Sequence, residues 1–336
     1  MSALDEAVKV EQLSTREAIN HALDLAMDLD PSVFLLGEDI ADPGGGVYQV
    51  TKGLSTKYGL DRVRPTPISE QAIAGAAVGA AVAGMRPVAE IMIMNFFAVC
   101  LDQVVNHAAK LRYMSGGQTH VPVTFRCSAG GGMQFGAQHS DMLEAWLTHV
   151  PGLKVVVPST PADAKGLLLS CIFDDDPCVF VEQVFGYFMT GDVPVGDVRV
   201  PLGKAEIRRE GSDVTILGYG RQLSDAISTA DAVAGQGISA EFIDLRSLVP
   251  LDEETILTSA AKTKRVVIVH EAVERGGFGA ELAALVAGEL GGELQGPIVR
   301  VAGKNTPVPF TSSLEWAFMP GVPDILAAVQ RATGTA

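Results

Sequence analysis

Apolar residues along this chain fall in two alternating patterns, short continuous runs and stripes at helical spacing. Ile19, Leu23 and Ala26 form the first stripe, within a helix expected over 14–29. Ser14 and Glu17 open it as a capping-box pair, and Pro31 closes it. Residues 33–36 form a buried strand that runs into Gly37-Glu38-Asp39 and then Pro43-Gly44-Gly45-Gly46. That glycine segment reads as a loop, because no GxxxxGK[ST] or GxGxxG pattern surrounds it. From Arg64 to Phe97 the sequence is RPTPISEQAIAGAAVGAAVAGMRPVAEIMIMNFF, a helix made almost wholly of Ala, Gly and Val followed by a buried strand over 88–94. Gly75 and Gly79 share one face of that helix and predict close helix packing. An amphipathic helix over 99–114 and a strand over 121–125 follow. Next come a glycine-laden loop over 126–141 and a helix over 142–149. A strand at 154–157, a helix at 161–173 with Pro161 in its first turn and a strand at 178–182 complete the block.

Gly191, Pro194, Gly196 and Pro201 break the alternation, which then resumes. Strands at 214–217, 240–243, 266–269 and 298–301 are interleaved with helices through Ala234, over 252–261 and over 279–290, and a last helix starts at Pro323. Strand–helix alternation of this kind predicts α/β architecture with two parallel-sheet domains. The expected division is 1–190, a linker over 191–205, and 206–336. Glycine turns at 217–220 and 276–279 suit strand-to-helix junctions, and either offers an anion a helix N-terminus. The acidic ribose partner of a dinucleotide fingerprint is missing, which argues against NAD.

Composition narrows the function classes. The 336 residues carry a formal charge of −15, so nucleic acid and anionic membrane surfaces are poor partners. The 47% hydrophobic content against 19% charged implies extensive burial, subunit interfaces included. The apolar run 72–84 is too short to span a membrane. MSALDEAVKVEQLS has no basic region leading into an apolar run, so no secretory signal is expected. Cys100, Cys127, Cys171 and Cys178 lack CxxC spacing and read as buried free thiols of a reducing cytoplasm.

Three places carry candidate chemistry. Glu70 is a lone carboxylate at the mouth of the apolar helix, suited either to proton work or to capping a first turn. His139 lies on the glycine loop, where it can serve as acid, base or donor, or simply cap the following helix or fill the loop. Asp174-Asp175-Asp176 is either a cation site or a solvated turn before Pro177.

Taken together, LLGEDI, TPISEQAIAGAAVGAAVAGMRPVAEI, LDQVVNHAAKLRYMSGGQ, QHSD, HVPGLKVVVPSTPADAKGLLL, DDDPCVFVE, HEAVERGGFGAELAA, KNTPVPF and LEWAFMP resemble one family over essentially the whole chain. It is the β subunit of the thiamine-diphosphate-dependent first component of 2-oxo acid dehydrogenase complexes, which includes the pyruvate, branched-chain 2-oxo acid and acetoin enzymes. The resemblance implies a transketolase-like pyrimidine-binding domain followed by a transketolase C-terminal domain. It implies that Glu70 hydrogen-bonds the ring nitrogen of the coenzyme's aminopyrimidine, that Phe96 packs on that ring and that Met92 lies near. It implies that His139 faces the reacting carbon and assists acyl transfer to a lipoyl arm. A structural monovalent cation such as K+ is implied at Asp174, Asp176 and the carbonyls of Val123, Cys171 and Ile172. The family's GDG motif for the diphosphate and Mg2+ is absent. An α subunit is therefore expected to supply that half of the site in an α2β2 heterotetramer, docked to a lipoyl acyltransferase core.

The sequence departs from the family's pattern at QHSD, at the small CSAGGG segment and at QVFGYFMTGDVP. These departures surround the expected substrate entrance and leave two alternatives, a stand-alone carboligase or decarboxylase and a non-catalytic structural subunit.

Overall fold

The computed structural model describes residues 9–335; residues 1–8 of the stretch read for a leader lie outside that range. The strands in chain order are β1 (Val10–Ser14), β2 (Val33–Gly37), β3 (Val63–Pro65), β4 (Arg86–Ile93), β5 (Thr124–Ala129), β6 (Lys154–Val156) and β7 (Cys178–Gln183). They continue with β8 (Thr190–Pro194), β9 (Glu206–Arg209), β10 (Val214–Gly218), β11 (Ala240–Asp244), β12 (Ser247–Val249), β13 (Val266–Val273) and β14 (Val299–Gly303).

Fully buried runs such as Val33–Gly37 and Cys178–Gln183 have apolar cover on both faces, as parallel strands between helices require. They build a seven-stranded sheet in the order β12-β6-β7-β5-β4-β2-β3, parallel throughout except for β12. A second sheet runs β14-β13-β10-β11-β9, with only β9 antiparallel. The expected α/β class with two parallel sheets is what forms. One apolar core joins the two halves: Phe97, Phe125 and Leu147 from the first belong to the same buried cluster as Leu217, Ile268 and Leu282 from the second. β12 adds a further tie, since it comes from the second half of the chain yet pairs with β6 of the first sheet.

Several expected elements shift. The strand expected at 121–125 begins only at Thr124, and the helix expected from 142 begins at Glu144. The helix through Ala234 is two, Arg221–Ser228 and Ala230–Gly235. Between them the Thr229 hydroxyl donates to the Ala226 carbonyl at 2.6 Å, the back-bonding that bends helices. β8 lies in the glycine- and proline-rich break and pairs antiparallel with β1. Within the small-residue helix, Glu70–Val82, a Cβ on Gly75 would meet Gln103 Oε1 at 3.4 Å, whereas one on Gly79 would meet nothing within 4 Å. Within this chain, the expected close packing therefore holds at Gly75 only.

The first helix, Thr15–Leu29, keeps its sequence signature: the Ser14 amide and hydroxyl both donate to Glu17 Oε2, at 2.8 and 2.5 Å. These bonds hold the Glu17 carboxyl below its usual range. Ser14→Ala is expected to destabilise the fold by about 1 kcal/mol, as cap removal typically does. A denaturant midpoint equal to the parent's would show that the box contributes nothing.

Candidate active site

β5, β4, β2 and β3 are adjacent and parallel, so their carboxyl ends share one edge of the sheet. That edge is where an open α/β sheet meets its ligands. β2 ends into Glu38, β3 into the turn before Glu70, β4 into Asn95 and Phe96, and β5 into the glycine loop that carries His139. The topology thus collects at one edge residues from four widely spaced stretches of the sequence.

Glu70 is the first residue of its helix and is 7% exposed. Ser69 occupies the N-cap without a side-chain cap bond, and the Glu70 carboxylate makes no hydrogen bond to any described residue. Glu70 makes no capping hydrogen bond, yet it is the first-turn acid of its helix, where the dipole favours a negative charge, and its carboxylate has no side-chain or backbone partner among the described residues. Glu38 is equally buried, with Oε1 lacking a partner among the described residues. Burial pushes the Glu38 carboxyl above its usual range, and the charges of Glu70, Asp39 and Glu90 add to the shift. Burial, reinforced by Glu70, likewise pushes the Cys100 thiol up to about 12, so it stays protonated.

Phe96 and Met92 are each half-buried, at the end of β4. The Phe96 ring meets the half-buried His139 imidazole edge-on, with centroids 5.3 Å apart. Two contacts stitch the histidine's loop to this turn. Asn95 Nδ2 donates to Asp141 Oδ2 at 2.7 Å, and the Asp141 amide donates to Asn95 Oδ1 at 3.3 Å. His139 caps no helix, because the next one starts behind Leu143.

Behind this edge lies an ionic network that sequence reasoning missed. Arg126, buried on β5, donates to Glu90 Oε2 at 2.9 Å and to Glu182 Oε2 at 2.8 Å, and the Tyr187 hydroxyl donates to Glu182 at 2.6 Å. An arginine and two glutamates inside otherwise apolar strands were the available signal, since such groups are buried only when paired. Glu38 had a signal too: an acid directly after the carboxyl end of a fully apolar strand.

Asp174 and Asp176 lie elsewhere. They precede β7, and Val123 precedes β5, so this cluster occupies the opposite edge of the sheet. Its donors are already engaged by cationic side chains and amides. Lys154 Nζ sits 2.7 and 2.6 Å from the two Asp174 carboxylate oxygens, and Arg112 pairs with Asp176. Arg86 Nη1 donates to the carbonyls of Ile172 and Asp174 at 3.2 and 2.8 Å. The Val123 carbonyl accepts from the Cys178 amide at 2.9 Å, and that of Cys171 from the Asp174 amide at 3.2 Å. In this arrangement the carboxylates of Asp174 and Asp176 are neutralised by Lys154 and Arg112 of the same chain.

The glycine segment 43–46 also turns inward. The amides of Gly45 and Gly46 donate to the carbonyls of Ala41 and Asp39 at 3.0 and 2.9 Å, which leaves neither free to cradle a phosphate. All four cysteines are free and buried. Among the described residues, no helix is long and apolar enough to cross a membrane.

Comparison with known proteins agrees with this geometry. Residues 11–184 match the family "Transketolase, pyrimidine binding domain" and residues 203–325 match "Transketolase, C-terminal domain". The chain is 47% identical to the acetoin:2,6-dichlorophenolindophenol oxidoreductase subunit beta of Cupriavidus necator, over 95% of this chain and 97% of that one. It is 46% identical to the Bacillus subtilis protein of the same name, over 94% and 96%. It is 45% identical to the mitochondrial pyruvate dehydrogenase E1 component subunit beta-2 of Oryza sativa subsp. japonica, over 96% and 86%. Among solved structures, one described as a split gene transketolase, inactive beta4 tetramer, superposes with a TM-score of 0.78 at 26% identity, covering 96% of this chain and 98% of that one. Fold and site together define a two-domain protein of the transketolase class. Within that class, the chain belongs to the family of β subunits of the thiamine-diphosphate-dependent acetoin and 2-oxo acid dehydrogenases.

Proposed function

We propose that this chain contributes the aminopyrimidine half of a thiamine-diphosphate site shared with an α subunit, in an α2β2 heterotetramer. The observation that carries the proposal is Glu70: a buried carboxylate without a protein partner, at the carboxyl edge of the first sheet. Its carboxylate is unclaimed by the described residues, so a ligand that donates at that edge can pair with it. The residues present fit the coenzyme's ring. Glu70 is the acceptor for a ring nitrogen, Phe96 offers an aromatic face, and Met92 supplies a polarisable side wall. When bound, thiamine diphosphate supplies the electron sink for loss of carbon dioxide or cleavage of a carbon–carbon bond. The Glu70 carboxylate and that ring nitrogen can share and exchange one proton, and closure of the site by a partner would strengthen the hydrogen bond between them. His139, fixed against Phe96, is placed to donate or accept a proton during acyl transfer to a lipoyl carrier.

Mg2+ and the diphosphate are assigned to the α subunit, because the glycine segment of this chain has its amides engaged. A structural K+ is not carried forward. We take 1–190 as the pyrimidine-binding domain, 191–205 as the linker and 206–336 as the C-terminal domain, and place the assembly in the cytoplasm with a lipoyl acyltransferase core as partner. Acetoin is the first substrate to test, since the two acetoin oxidoreductase subunits are similar over nearly their whole length.

The test is reconstitution with an α partner, thiamine diphosphate and Mg2+, followed by acylation of a lipoyl domain from acetoin or pyruvate. Acylation is the expected result. Substrate cleavage without acylation would replace this reading with that of a stand-alone carboligase or decarboxylase.

A further inference from the structure

The glycine loop is gripped by the other domain. Two carboxylates of the C-terminal domain, Glu271 (3% exposed) and Glu315 (0% exposed), point at its backbone. The Gly131 amide donates to Glu271 Oε1 at 2.6 Å. The Gly132 amide donates to Glu315 Oε1 at 2.9 Å, and the Gln134 amide reaches both Glu315 oxygens at 3.1 Å. Glu271 is itself held: its Oε2 accepts from Gln183 Nε2 at 3.0 Å and from Gln222 Nε2 at 2.9 Å. Farther along, Glu144 accepts from the Tyr219 hydroxyl at 2.6 Å, a further bond across the domain boundary. His139 lies between these anchors, and its own domain holds Asp141 through Asn95.

This grip explains the small CSAGGG segment. A Cβ on Gly130, where φ is +90°, would lie 2.8 Å from Glu271 Oε1. On Gly131 it would lie 3.1 Å from Met319 Sδ and 3.4 Å from Glu315 Oε1, and on Gly132, at φ +101°, 2.9 Å from the Phe185 ring. Only glycine lets the backbone approach two buried carboxylates this closely. Charge-assisted bonds from backbone amides to ionised carboxylates are among the stronger ones available to a loop. Three backbone amides thus meet two buried carboxylates across the domain boundary, although burial pushes the Glu271 carboxyl above its usual range.

We infer that Glu271 and Glu315 are positioning residues, through which the C-terminal domain sets the loop that presents His139. The inference rests on His139 acting in acyl transfer, so the experiment separates the two claims. In the reconstituted α–β complex, Glu315→Gln replaces one acceptor oxygen with an amide that repels the loop's N–H groups. The ratio of lipoyl-domain acylation to reduction of 2,6-dichlorophenolindophenol is expected to fall about tenfold or more, because small misplacements of a reacting group are costly. Deuterium uptake over 130–141 is expected to rise, while uptake over the helix Pro161–Ile172 stays at the parent level. Gly131→Ala leaves both carboxylates intact and wedges the loop off them, so it should reproduce both changes if Glu315→Gln fails to assemble. Native uptake over 130–141 in both variants, or an unchanged ratio in both while His139→Ala loses acylation, would overturn the positioning role. Unimpaired acylation by His139→Ala would overturn the underlying assignment of His139, and the inference with it.

Discussion

Glu70→Gln in the reconstituted complex is expected to lower turnover by at least about 100-fold, the scale of a single general acid–base contribution. Glutamine keeps the size of the side chain and one acceptor oxygen, so local packing is preserved. What it loses is the capacity to hold and release a proton. The surroundings leave no substitute of the same kind. Glu38 is the adjacent buried carboxylate, and burial already favours its neutral form; removing the Glu70 charge relieves part of that shift and draws it back toward its ordinary range. Cys100, the other titratable neighbour, is held protonated to about pH 12. The measurement is steady-state turnover together with calorimetric coenzyme affinity, so that weakened binding is separated from slowed chemistry. Turnover equal to the parent's, with the coenzyme bound, would exclude a proton role for this carboxylate and return the non-catalytic reading to contention.

The periodic core was legible in the sequence, and the polar architecture around it much less so. Continuous apolar runs such as 33–36, 178–182 and 266–269 became buried parallel strands because burial on both faces leaves no other pattern. β1 and β8 were not seen, since Val10–Ser14 reads VEQLS and Thr190–Pro194 reads TGDVP, neither of which shows alternation. Their pairing is a long-range backbone event across 180 positions, which no local window reports. β12 was missed for a related reason: three residues of the second half complete the sheet of the first. Glu70, Phe96, Met92 and His139 were found through motif resemblance. The residues alone left Glu70 and His139 open between site and cap; the structure places His139 away from any helix start and Glu70 in a first turn with its carboxylate unpartnered among the described residues. Glu271 and Glu315 lay inside recognised motifs without any visible purpose, because their partners are backbone amides more than 100 positions away. The acidic run at 174–176 read either as a cation site or as a solvated turn, and no local pattern announces that Lys154, Arg86 and Arg112 come from other elements to pair with it.

Calorimetry on the chain alone, titrated with thiamine diphosphate and Mg2+, should give binding at least about 1,000-fold weaker than in the presence of an α partner, or ~4 kcal/mol. The coenzyme's ring is the smaller part of its binding demand; its charged tail needs donors and a metal with oxygen ligands. Among the described residues, the glycine segment and the buried arginine behind this edge offer neither. Gly45 and Gly46 have spent their amides on Ala41 and Asp39, and Arg126 is bound to Glu90 and Glu182. Among the described residues, no group of three or more His, Cys, Asp or Glu side chains is arranged to hold a metal ion. The net charge of −15 opposes a diphosphate at every approach. Two or three lost charge-assisted bonds at about 1.5–3 kcal/mol each account for the expected deficit. Burial works in the same direction from the other side. A partner that closes over Glu70 removes the water competing for its oxygen, so ring and tail are gripped only when both chains are present. Tight binding by the isolated chain would mean that the diphosphate finds ligands here after all, and the division of the site between two polypeptides would have to be abandoned.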